Sequence, residues 1–141
     1  MAVFEKKQDD MRILSREDIA QADDIVIEAV DVPEWGGTVL VKGMTGAERD
    51  RFEISMLADP GKSTKVKLAD MRAKLCSLTI VDENSKLLFT PADIKMLTKK
   101  SAVALQRVFR VARELSGIGD DDVKELTEGL EDNPFGDSVS D

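Results

Sequence analysis

Histidine and tyrosine are absent from this chain, and cysteine occurs once, as Cys76. The side chains that most often move protons near neutral pH are therefore missing. Cys76 has no histidine to activate it and lies among apolar neighbours on a predicted helix, which reads as a core residue rather than a nucleophile. A zinc site lacks its usual ligands for the same reason. One cysteine excludes an intramolecular disulfide and fits a reducing compartment. No window is apolar over the length of a membrane span, and the opening MAVFEKKQDD lacks the apolar run of a signal peptide. Together these absences predict a soluble protein that is not an enzyme, holds no cofactor or metal and does not enter a membrane. Gly61-Lys62-Ser63 resembles the end of a phosphate-binding loop, but Met56 stands where that loop needs a glycine. Asp23-Asp24 and Asp120-Asp121-Asp122 lack the spacing and glycine of a calcium loop.

Charge is plentiful and unevenly placed. The net charge is -8, and residues 120 to 141 carry nine acids against Lys124, so the whole excess lies at the C-terminal end. Within the neutral remainder, residues 1 to 61 have fourteen acids against seven bases, while residues 62 to 113 have twelve bases against four acids. Solvated helix faces explain such bias without a ligand. A basic middle that meets an acidic partner, including the chain's own tail, is the alternative. Lys99, Lys100, Arg107, Arg110 and Arg113 form a run free of acids, but overall acidity and an aromatic content of 4% argue against nucleic acid as the partner.

Local patterning predicts the elements. Val26, Ile27, Val30 and Val32, then Val39, Leu40 and Val41, are strand formers around the turn Pro33-Glu34-Trp35-Gly36-Gly37, which predicts a hairpin. Ser15 with Asp18, and Thr45 with Glu48, are capping boxes that start helices at Arg16 and Gly46. The helix from Gly46 to about Leu57 is expected to be widely buried in its second half, through Phe52 and Met56 on one side and Ile54 and Leu57 on another. A further helix runs from Ser63 or Thr64 to about Leu78, with Val66, Ala69, Ala73 and Cys76 on its buried stripe. Thr79-Ile80-Val81 and Leu87-Leu88-Phe89 suit either a small second hairpin or a loop. Thr90-Pro91 opens a short helix to Leu97. The clearest helix spans Ser101 to Leu115, with Leu105, Val108, Phe109, Ala112 and Leu115 on one stripe and Gly117 at its end. Beyond it, Asp120 to Leu130 makes a marginal helix at best, and the density of acids predicts a mobile tail.

The run VPEWGGTVLVKGMTGAERDRFE, from Val32 to Glu53, resembles the corresponding run of tail assembly chaperones of long-tailed bacteriophages, with their PEWGG turn, short strand and TGxERDxFE helix start. The likeness extends from Met11 to about Ile118, carried by Leu14-Ser15-Arg16-Glu17-Asp18-Ile19, Arg72-Ala73-Lys74-Leu75, Val81-Asp82-Glu83-Asn84 and Leu88-Phe89-Thr90. The resemblance implies a chaperone of the host cytoplasm that binds the tape measure protein and tail tube subunits and leaves before the tail is complete. A structural head-tail connector or tail completion protein is the competing class, and a DNA-binding regulator a third.

The expected fold is α+β, an N-terminal β-hairpin packed with a mainly α-helical body and a disordered acidic C-terminal tail. Residues 1 to 14 form an arm, 15 to 118 a single domain and 119 to 141 the tail. Candidate partner-binding residues are Trp35, Arg107, Arg110 and Arg113. Trp35 suits either a cover for the hairpin end or a direct anchor for a partner. Self-association through apolar faces of the later helices is also expected.

Overall fold

The computed structural model describes residues 11 to 58 and 61 to 128. Strands β1 (Ile27–Val32) and β2 (Gly37–Lys42) pair antiparallel, from Ile27 opposite Lys42 to Val32 opposite Gly37. A 3-10 turn, Pro33–Trp35, joins them. Proline fits the first position of that turn, and Gly36 closes it at φ 77, where a side chain would be strained. Opposed residues share a face, so Val30, Val32, Val39 and Val41 point to one side and Ile27, Ala29 and Leu40 to the other. The valine side joins the core, and Ile27 on the opposite side stays 43% exposed. The expected hairpin is thus present.

Helix α1 (Arg16–Gln21) begins at the Ser15–Asp18 capping box, yet none of its residues is buried. Helix α2 (Gly46–Leu57) starts at Thr45, whose hydroxyl accepts from Glu48 N at 3.1 Å while Thr45 N donates to the Glu48 carboxylate at 2.8 Å. Its burial is narrower than expected. Phe52 and Met56 are buried, but Ile54 is 67% and Leu57 41% exposed. Two residues is about 200° of helix, so Ile54 points away from the side that Phe52 buries.

Helix α3 (Thr64–Thr79) is the centre of the body and packs against α2, α4 (Ile94–Leu97), α5 (Ala102–Ser116) and α6 (Asp120–Glu128). Its buried set also departs from the expected stripe: Ala73 and Cys76 are enclosed, but Val66 is 46% exposed and Ala69 is exposed. Lys67 and Met71 fill the first half instead, and in the second half Leu75, Ser77 and Thr79 are buried too. A helix with neighbours on several sides cannot keep a single stripe. Strand β3 (Ile80–Val81) follows directly and pairs with β2, giving the sheet order β1-β2-β3. A bridge from Val81 to Leu87 and a bond from Leu88 N to Ile80 O make the small second hairpin. Asp82 shapes its turn by accepting from Asn84 N at 2.7 Å and Lys86 N at 3.0 Å.

A 3-10 turn, Pro91–Asp93, leads into α4, and α5 buries Leu105, Val108, Phe109 and Ala112 as expected. Gly117 ends α5 in the left-handed region, where its N–H and that of Ile118 reach back to carbonyls of the last turn. The link between β2 and α2 crosses this end closely. A Cβ on Gly43 would lie 2.6 Å from Leu115 O, and Met44 N donates to Ser116 Oγ at 3.1 Å.

Helix α6 corrects the reading of a tail from residue 119. Leu126 is 3% exposed and Val123 packs on the core, with α6 against α2 and α3. Arg113 donates to Ile118 O and to Asp120, while Arg49 donates to Gly117 O and pairs with Asp122. The three aspartates occupy its first turn, where the helix dipole favours negative charge. The remainder of the expected tail, from residue 129, and residues 1 to 10 of the expected arm lie outside the described residues.

Candidate functional site

The four residues singled out from sequence do not converge on one site. Trp35 is partly buried and packs against the core, and the turn that carries it contacts α5. Beside it, the Arg107 guanidinium grips the Glu34 carboxylate with two hydrogen bonds, one of them 3.1 Å long. That grip holds the Glu34 carboxyl below its ordinary range and raises Arg107 above its own. Glu34, from the acidic half, thus fastens the hairpin turn to the basic helix. Arg113 serves the junction of α5 and α6 and lies over the Phe109 ring at 5.8 Å. Two of the three arginines therefore have structural partners inside the fold.

Arg110 differs. It is exposed and lines an open cleft of about 570 Å³ with Arg72, Val103, Gln106 and Arg107. Among the described residues no acid lines this cleft, and Arg72 Nε is buried with no hydrogen-bond partner. The surface suits an acidic partner through Arg72 and Arg110.

A second surface was not picked out from sequence. Between α2, α3 and the 3-10 turn at Pro91 lies a groove of about 410 Å³, with Phe52, Leu78, Leu87, Pro91 and Ile94 as its apolar lining. Glu48, Arg51 and Lys74 rim it with charges of both signs. An apolar floor with a mixed charged rim complements an amphipathic helix. The walls come from four separate segments, so no single window of sequence displays the groove. Leu87 is the one hint: it stands in the apolar run Leu87-Leu88-Phe89 yet is 49% exposed.

Cys76 is fully enclosed, its Sγ 3.9 Å from Leu105 O, and burial pushes its thiol up to about 12. It stays protonated at neutral pH and acts as a core side chain. Among the described residues, no group of three or more histidine, cysteine, aspartate or glutamate side chains is arranged to hold a metal ion. No described helix is long and apolar enough to cross a membrane. Comparison with protein-family models, with curated proteins and with solved structures finds no match to the chain.

Proposed function

We propose that this chain is a non-enzymatic tail assembly chaperone of a long-tailed bacteriophage, working in the host cytoplasm on the tape measure protein and on tail tube subunits. The observation that carries this reading is the apolar groove between α2, α3 and Pro91, which suits a helical segment of a larger partner. The sequence resemblance from Val32 to Glu53 supplies the class of partner. Low affinity per segment suits a protein that must leave, and self-association lets several weak contacts act together on a long partner. The cleft lined by Arg72 and Arg110 is a second contact surface for an acidic stretch of the same partner.

Leu87→Glu tests the groove. Leu87 is half exposed, so the fold tolerates the change, and the charge enters the apolar floor. Co-expression with the tape measure protein is expected to give a complex with the parent chain and none with the variant, at an unchanged melting temperature. Equal recovery with both proteins contradicts the groove reading. A DNA-binding regulator predicts instead duplex binding that weakens steeply with salt.

A further inference from the structure

Five polar or charged residues are buried among the described ones, and four have partners that account for their burial. Ser77, Thr79 and Thr127 donate to carbonyls one turn earlier in their own helices, and Ser116 accepts from Met44 N. Lys67 is the fifth. It is 7% exposed, and its ammonium makes no hydrogen bond or ion pair among the described residues. Unlike Arg72 Nε, that ammonium is not sealed in, because Lys67 lines a pocket of about 220 Å³ between the end of α2 and the first half of α3.

The rest of the lining continues the pattern. Ser55 and Ala58 come from the α2 side, and Lys62, Asp70 and Lys74 from the α3 side. Lys67, Asp70 and Lys74 recur at three and four residues, which sets them along one face of α3. Lys62 meets the one acid among the described lining residues, its Nζ 2.9 Å from Asp70. Lys74 donates to Ser55 Oγ at 3.1 Å, and that hydroxyl donates in turn to Phe52 O. Lys67 and Lys74 are thus two ammonium groups with no carboxylate partner among the described residues, facing space for one small group and its waters. An apolar stem alone would fill this place in the core, so the ammonium at its end adds a charge that no contact among the described residues uses. Packing alone does not account for a lysine at position 67.

We infer that this pocket binds an oxyanion, a carboxylate or a phosphate, with Lys67 as its central donor and Lys74 as the second. The site stands whether or not the apolar groove is a docking surface. Ser55 and Lys74 line both, so a carboxylate on a segment lying in the groove has a short path into the pocket, whereas free phosphate enters from solvent.

The test is a titration of the full chain with inorganic phosphate and, separately, with acetate, at constant ionic strength set by chloride. The readout is the backbone amide shifts of Ser55, Ala58, Lys67 and Lys74. Saturable shifts are expected for at least one anion, and binding at least tenfold weaker in Lys67→Met. That variant is expected to melt at or above the parent's temperature in chloride alone. Tighter binding of phosphate assigns the site to free phosphate, and tighter binding of acetate assigns it to a protein carboxylate. Should Lys67→Met fail to fold, Lys74→Gln, at the partly exposed edge, is expected to weaken the same shifts severalfold. No saturable shift with either anion, or equal shifts in parent and variants, overturns the site. A Lys67→Met protein that melts well below the parent with no anion effect makes the lysine a structural residue.

Discussion

Two short helices flank the body and reverse what their sequences suggest. Helix α1 has a complete capping box and buries nothing, with Ile19 63% exposed. Helix α6 opens on three aspartates in a segment that reads as a soluble tail, yet it buries Leu126 and Thr127. Capping decides whether a helix starts, and packing decides whether it belongs to the core. The acids of α6 are not evidence against order, because they sit at the end of the helix where the dipole welcomes them and where Arg49 and Arg113 reach them.

The largest effects that sharpen this contrast are expected in α6, where Leu126→Ala should cost about 3 kcal/mol by leaving a cavity. Urea unfolding measures it. Truncation after Gly119 should cost more, since it uncovers the sides of α2 and α3 that α6 packs against. A truncated chain that melts with the parent would return α6 to the tail.

Next comes the seam from which α6 departs. Gly43→Ala places a methyl against the backbone at Leu115 O, 2.6 Å away, and is expected to destabilise by about 2 kcal/mol. Thermal melting decides it, and no change means that the crossing is looser than described.

A smaller effect belongs to the Glu34–Arg107 grip. The carboxyl is lowered in the folded state, so its stabilisation is present above the unfolded value of 4.5 and fades as pH falls through the lower folded value. Glu34→Gln should therefore melt below the parent at neutral pH, with the difference shrinking in acid. A difference independent of pH would assign the effect to something other than the ion pair.

The smallest effect is expected at α1. Ser15→Ala removes its cap and should shift the global melting temperature by less than a degree, because the helix adds no buried surface. Amide exchange in residues 16 to 21 should nevertheless rise. A clear loss of global stability would mean that α1 supports the body after all.

Much of the fold was legible because it is local. The PEWGG turn, the capping boxes at Ser15 and Thr45, the stripe of α5 and the glycine stop at Gly117 all follow from neighbouring residues. The exposure of Ile54, the burial of Lys67 and the pairing of β3 with β2 depend on elements distant in sequence, and no periodicity encodes them. The candidate surfaces follow the same division. Arg107 and Arg113 look like free positive charge along a helix, but their partners Glu34 and Asp120 come from other elements. The groove, with walls from several segments, shows in the sequence only through the apolar run Leu87-Leu88-Phe89.

The proposed role as an assembly chaperone is tested most directly by counting copies of this protein along the assembly path. Assembling tails and finished particles from one infection should be purified and the chain quantified in each by mass spectrometry. It is expected to accompany the tape measure protein in the intermediates and to be missing from finished particles. A fixed number of copies in every finished particle would contradict that role and identify a structural component of the virion.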